Sequence, residues 1–259
     1  MDNRCHNKEN PSARPERSWQ QCEISSVLSK DQALNEFEAL NALRTYGIPF
    51  ASAVIAADAA AAEAAVAAMP GPVVMKIVSR DIAHKADIGG VVTGVTRDTA
   101  AKTFGEIWNR VRAARPRAHL EGVLVQEQLS GIEVIVGAIR DAQFGHAIMF
   151  GLGGIWAETM GDATFRVPPL TREDSLAMIH GIRAEAILQG GRNQPAADID
   201  ALCNILETVG RLVVEFPQVA ELDLNPIIAT PTGATAVDAF LRVERFKLVN
   251  HGAKQRRQG

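Results

Sequence analysis

The stretch "IEVIVGAIRDAQFGHAIMFG", residues 132 to 151, limits the fold more than any other part of the chain. Two apolar runs flank a short polar turn, which is the pattern of two strands joined with no helix between them. Before them the order is mixed. "FASAVIA" reads as a strand, Asp58 caps an Ala-rich helix, and Pro70-Gly71 turns the chain. "PVVMKIVS" reads as a buried strand, "GVVTGV" as another, and a helix runs from about Asp98 to Ala114 ahead of the strand "GVLVQEQL". Helical stretches are expected at about 171 to 189 and 198 to 214, then "AELDLNPIIA", a "TPTGA" turn and "TAVDAFLRVE". The regular βα alternation of a doubly wound sheet is missing, so the fold class is α+β.

Order begins near Ser29 and Asp31, where helix-start chemistry precedes "ALNEFEALNALRTY". Leu34, Phe37, Leu40, Leu43 and Tyr46 recur near helical spacing, Gly47 fits a C-terminal cap and Pro49 prevents continuation. Residues 1–29 read as a flexible extension, 30–247 as the folded region and 248–259 as a short basic tail.

A chain of 259 residues with 47% apolar residues can bury a sizeable core. Its net charge of −3 argues against broad nucleic-acid binding, which needs a basic face. The opening "MDNRCHNKENPSARPERSWQQCE" has no apolar centre for a signal peptide, and no run approaches the roughly 20 apolar residues of a membrane span. Neither nucleic acid nor membrane is expected as a partner, and the cytoplasm is the default compartment. Cys5, Cys22 and Cys203 have neither metal-ligand spacing nor an even count for disulfides.

The unusual residues lie in a few places. Lys76 interrupts an apolar strand; alternation would put it on an exposed face, whereas a half-buried lysine neutralises an anion such as a phosphate. In "SRDIAHKADIGGVVTG", Gly89 and Gly90 either make a tight turn or let their amides approach phosphate oxygens. His84 is either a surface histidine or a nucleophile that accepts a phosphoryl group. Lys85 would then stabilise the added charge, and Asp87 would orient the ring or bind metal. "ELDLNPI" and "AVDAF" put Asp223, Asn225 and Asp238 on adjacent strands, where a hairpin brings Asn225 and Asp238 together as oxygen ligands for Mg²⁺. Glu127 and Glu133 are either solvent-facing strand residues or acceptors for adenine or ribose.

The ordered set "YGIPF", "PVVMKIVS", "IAHKADIGGV", "VLVQEQLSGIEVIVG", "FGHAIMFGLGGIWAE", "FRVPPL", "ELDLNPI" and "AVDA" resembles the ATP-grasp subunit of ADP-forming acyl-CoA synthetases, from about residue 30 to 247. The resemblance implies an ATP-grasp fold that holds ATP or ADP and Mg²⁺ between two α+β subdomains. It implies Lys76 on the nucleotide phosphates, Gly89 and Gly90 in the mobile phosphate loop, and Glu127 and Glu133 along the nucleotide edge. Asn225 and Asp238 match Mg²⁺ ligands, Asp223 lies near the transfer centre, and His84 matches the histidine that relays phosphate. Glu158, after Gly153 and Gly154, either orients phosphohistidine or makes a structural hydrogen bond. Ala86 departs from the serine common in similar sequences and removes one possible phosphate contact.

The family's chemistry also needs a CoA-binding region and a second phosphorylatable histidine, for which this sequence has no candidate. The resemblance therefore implies a β-type subunit completed by a CoA-binding α-type chain. Together they would convert acid, ATP and CoA reversibly into acyl-CoA, ADP and phosphate. The alternatives are a nucleotide-sensing module beside an acyltransferase, or a carboxylate–amine ligase that works without phosphohistidine.

Overall fold

A computed structural model describes residue 28 and residues 34–82, 84–153, 161–191 and 195–244. Of the expected flexible N-terminal extension, Leu28 is described and is buried in the larger core rather than flexible; the rest of the extension, the basic tail and Glu158 lie outside the described residues. The described chain runs α1 (Glu36–Thr45), β1 (Ala53–Ala56), α2 (Ala59–Ala67), β2 (Val73–Val78), β3 (Val91–Val95), α3 (Arg97–Ala114), β4 (Gly122–Glu127), β5 (Ile132–Asp141) and β6 (Gly145–Leu152). It continues through β7 (Ala163–Arg166), α4 (Arg172–His180), α5 (Ile199–Glu215), β8 (Val219–Thr230), β9 (Gly233–Ala236) and β10 (Phe240–Val243). Two 3-10 turns, Ala86–Ile88 and Glu185–Ile187, interrupt the loops.

The strands form two sheets whose named pairings are all antiparallel. The smaller has the order β1-β4-β2-β3. Alternation along β2 and β4 sends Val73, Met75, Ile77, Val123 and Val125 to one face. There they meet Ala62 and Val66 of α2 and Phe104, Ile107 and Val111 of α3 in one apolar core. The larger sheet has the order β10-β8-β5-β6-β7, with β9 also paired to β8. Val134, Val136, Ile148, Phe150, Leu222 and Leu224 bury against Leu202, Leu206, Val209 and Val213 of α5, together with Met178 of α4 and Leu43 of α1. Full burial of each such side chain contributes about 1.5–3 kcal/mol, so the two cores hold the two halves independently.

α1 bridges those halves. Its start is set by Asn35, whose side chain accepts from the Glu38 N–H at 2.8 Å while Glu38 accepts from the Asn35 N–H at 3.1 Å. This reciprocal cap, which contributes about 1 kcal/mol, starts the helix later than the expected Ser29–Asp31 region. Gly47, with φ +107°, and Pro49 end it as expected. Asp58 does cap α2, accepting from the Ala61 N–H at 2.8 Å.

Two expectations need correction. The stretch 171–189 is not one helix: α4 stops at His180, and Gly181 packs its Cα where a Cβ would meet the Ala177 carbonyl at 2.8 Å. Asp162 then takes the Arg183 and Ala184 N–H groups at 2.7 and 2.8 Å, fixing a non-helical turn. "TAVDAFLRVE" is not one strand either. It breaks between β9 and β10, and Asp238 sits in the break rather than within a strand run.

Candidate functional site

The break in the last strand is matched by a bulge in β8. Ile227 pairs with Val134 and Leu224 with Val136, so Asn225 and Pro226 together face the single residue Ile135. A proline without an N–H is tolerated inside a central strand at such a bulge. Ala236 pairs with Ile227 and Phe240 with Asp223. One register therefore runs through both pairings and sets Asp238 opposite Asn225. The Val237 N–H donates to the Pro226 carbonyl at 3.1 Å and pins that register. Leu222 and Leu224 point into the helix-covered core, which turns Asp223 to the other face.

Lys76 reaches this point from the smaller sheet. It is 7% exposed, contrary to the reading that alternation turns it to solvent. Its ammonium donates to Glu36 Oε1 at 3.0 Å and to the Val237 carbonyl at 2.8 Å, and lies 3.6 Å from Asp238 Oδ2. Glu36 is buried as well and takes Lys85 on its second oxygen. Two lysines thus converge on one carboxylate at the meeting of α1, β2 and the loop before β3.

The electrostatics follow from this crowding. Burial alone would raise the Glu36 carboxyl, but Lys76 and then Lys85 outweigh it and hold the group below the ordinary carboxylate range. Burial would lower the Lys76 ammonium, yet Glu36 and Asp238 raise it overall. The Asp238 side chain keeps 41% exposure, and its carboxyl is nonetheless raised, by desolvation first, with Lys76 opposing and Glu36 adding to the shift. Asp223 is pushed up to about 6, by burial and then by the charges of Asp238 and Glu221. An acidic pair crowded in this way is stabilised by a cation.

Mg²⁺ fits that donor set. Among the described residues no group of three or more His, Cys, Asp or Glu side chains could hold a metal. Asn225 and Asp238 offer one amide oxygen and one carboxylate, the pattern of a hard cation that completes its shell with water and phosphate oxygens.

The loop that carries His84 is closed on itself. Gly89, with φ +65°, donates its N–H to the Ala86 carbonyl at 2.9 Å, and Gly90 donates to the Lys85 carbonyl at 2.8 Å. A Cβ on Gly90 would lie 2.8 Å from Ile77 Cγ2 and 2.9 Å from the Lys85 oxygen. In this conformation the glycines serve the turn and their amides are occupied. His84 is exposed beside Lys85, and Asp87 is exposed in the 3-10 turn.

Lys76, Asp238, Asn225 and Asp223 are therefore brought together, with Lys85 tying in the His84 segment. Glu127 and Glu133 stand apart from them. Glu127 ends β4 opposite Val73, its N–H donating to the Ser52 carbonyl at 2.9 Å. Glu133 is exposed near the start of β5, opposite Ile228. Glu36 was not foreseen from sequence, although a signal existed: it shares the helical stripe of Leu40 and Leu43, a core position for an acid. Gln126 was missed too. It is 1% exposed and its Nε2 has no hydrogen-bond partner.

Two sheets closing on a lysine, a carboxylate–amide pair and a glycine loop define an ATP-grasp architecture, and residues 26–243 match the ATP-grasp domain family, to which the chain belongs. Within it, the chain belongs with the β subunits of ADP-forming acyl-CoA ligases. It is 44% identical over 218 residues to the β subunit of acetate–CoA ligase [ADP-forming] I of Pyrococcus furiosus, covering 83% of this chain and 94% of that one. It superposes with a TM-score of 0.82 and 37% identity on the dinucleotide-forming acetyl-coenzyme A synthetase 1 of Ca. Korarchaeum cryptofilum, solved with coenzyme A, Ca-AMPCP and HgCl⁺, over 87% of this chain and all of that one. Another structure of that enzyme (TM-score 0.72, 33% identity, 88% and 100% coverage) holds coenzyme A and Mg-AMPPCP, with its phosphohistidine segment pointing towards the nucleotide binding site. The family's cofactors are ATP or ADP and Mg²⁺.

Proposed function

We propose that His84 carries the phosphoryl group for this ligase, with nucleotide held between Lys76 on one sheet and the Asn225–Asp238 pair on the other. The observation that carries this reading is that Lys85, the neighbour of His84, and Lys76 meet on one carboxylate. The relay residue is thereby tied to the phosphate-neutralising end of the cleft.

In the synthetic direction a nitrogen lone pair of the neutral His84 ring attacks the γ-phosphorus of ATP. The N–P bond forms as the bond to the β-phosphate oxygen breaks, and ADP leaves. Lys76 supplies fixed positive charge to the phosphates, the kind of electrostatic help that dominates phosphoryl transfer. Bound Mg²⁺, on Asn225 and Asp238, would add charge neutralisation of the phosphate oxygens. Asp223 takes a place near the transferring group, and Glu127 and Glu133 are assigned to the adenosine end. Glu158, outside the described residues, is assigned to orienting phosphohistidine. A CoA-binding α-type partner with its own histidine then receives the phosphoryl group, forms an acyl phosphate from the acid, and lets CoA displace phosphate. The compartment proposed is the cytoplasm, with neither nucleic acid nor membrane proposed as a partner.

Incubation with γ-labelled ATP and Mg²⁺, followed by mapping of acid-labile label, tests the assignment. Label is expected on His84 and should vanish in His84→Ala while nucleotide binding persists. Equal labelling of wild type and His84→Ala would refute it.

A further inference from the structure

We infer that Glu36 is a positioning residue for phosphoryl transfer: it clips the His84 segment against the phosphate lysine by holding Lys85 and Lys76 on its two carboxylate oxygens. The inference rests on the reading of His84 as phosphoryl carrier.

The loop from His84 to Gly90 has two ends with different tethers. Its C-terminal end is fixed by backbone and by α3. The Ile77 N–H donates to the Gly90 carbonyl at 2.8 Å, and Arg110 donates to the Gly89 carbonyl at 2.9 Å. Its histidine end has one side-chain tether among the described contacts, Lys85 on Glu36. Asp87 and His84 themselves are exposed. Removing the Lys85 contact therefore releases the end that bears the histidine and leaves the other end in place.

Glu36 is built for this role. It occupies the first turn of α1, where the unpaired N–H groups favour a negative charge. Its helix is anchored in the larger core by Ala39, Ala42 and Leu43, so the carboxylate is a fixed point rather than a mobile arm. Its side chain is 3% exposed, and a buried carboxylate is retained only where its charge is matched. One oxygen serves Lys76 and the other serves Lys85. Lys76 keeps the Val237 carbonyl and Asp238 without Glu36, whereas Lys85 makes no second hydrogen bond or salt bridge among the described residues and feels Asp238 only as a more distant charge. The loss of Glu36 should thus fall on loop position more than on the lysine that meets nucleotide.

The full-length protein tests this with Glu36→Gln, Lys85→Gln and Lys85→Arg. Amide exchange at Gly89 and Gly90 reports closure of the loop, since both N–H groups bond within it. Glu36→Gln and Lys85→Gln should each raise that exchange tenfold or more. At saturating ATP they should slow labelling of His84 at least tenfold, while the Kd for Mg-ADP in Glu36→Gln moves by less than threefold. Lys85→Arg should restore both exchange and labelling. A residue with a merely structural role would lose affinity and labelling together. Unchanged loop exchange in Lys85→Gln, or no rescue by Lys85→Arg, overturns the inference even if Glu36→Gln fails to fold. If wild type takes no label but the exchange pattern holds, the clip stands and the phosphohistidine reading falls.

Discussion

Lys76→Met is the sharpest test of how the cleft is held. Methionine keeps the length of the side chain and removes its charge, leaving Glu36 paired with Lys85 alone and Asp238 with only the more distant charge of Lys85. Breaking a buried ion pair by removing one partner costs about 3–5 kcal/mol. Lys85 still neutralises Glu36, and Asp238 is partly solvated, so the expected loss is near the lower end, about 3 kcal/mol. At about 2–4 °C per kcal/mol for a chain of this size, the Tm should fall by roughly 6–12 °C. Urea denaturation at neutral pH measures it, with Glu36→Gln and the double variant completing a cycle. The two substitutions should be non-additive by about 1–3 kcal/mol. The effect should survive about 1 M salt, where surface pairs are screened. The exposed Arg97–Glu63 contact at 4.0 Å is the control, and Arg97→Met should change little. The pH window follows from the two shifts. Glu36 lies below its ordinary 4.5, so its contribution is present above that value and lost as pH falls through the folded one. Lys76 lies above its ordinary 10.5, so its contribution is present below that value and lost as pH rises further. Between those limits the difference between wild type and Lys76→Met should change only where Asp238 titrates, since Lys76 holds that raised carboxyl down. Additive variants, or a Lys76→Met protein as stable as wild type, would refute the reasoning.

Asp223→Asn should stabilise the metal-free protein above pH 6 and leave it unchanged below pH 4, because the native carboxyl titrates at about 6 instead of 3.8. Between those values the native state binds the extra proton, so wild-type stability falls as pH rises. Discounted for its solvent-facing side, the gain at pH 7.5 is about 1–2 kcal/mol; parallel pH–stability curves would contradict it. Gly90→Ala should cost about 1–3 kcal/mol, since its Cβ meets the Lys85 carbonyl and Ile77, and denaturant midpoints read this directly. Mg-ADP at about 100 times its Kd should stabilise the protein by about 2.7 kcal/mol, and Asp238→Ala should abolish the Mg²⁺-dependent part in a thermal-shift titration. Phe150→Ala, in a fully buried position of the larger core, should cost about 3–5 kcal/mol without altering the pH window of the ion pair.

What could be read from sequence was whatever local spacing encodes. The β5–β6 hairpin, α3 to within a residue, and the Asp58 cap each depend on neighbours in the chain, and each is present. The helix expected over 171–189 fails because Ile187 and Leu188 carry helical spacing past Gly181, and the turn is instead decided by Asp162, about twenty residues upstream. Asp223, Asn225 and Asp238 were legible as polar residues in apolar runs. A hairpin was also enough to expect that Asn225 and Asp238 meet; what no pattern of period two reveals is the bulge and the strand break, sharing one register, that set them opposite each other. Glu36 was hidden for another reason. An acid in a first helical turn is ordinary for the helix dipole, and only the chain fold shows that two lysines, 40 and 49 positions later, converge on it.

The convergence also explains why the two halves meet where they do. Each half has its own apolar core, and burial alone gives no reason for Lys76 of one to meet Asp238 of the other. The charges give that reason. Lys76 satisfies Glu36, the Val237 carbonyl and Asp238 where the two halves approach, so opening the cleft would expose or orphan a buried ammonium and a buried carboxylate. Phosphate oxygens offer the same lysine equivalent partners. On the proposed reading, nucleotide exchanges with these contacts without leaving the buried charge unpaired.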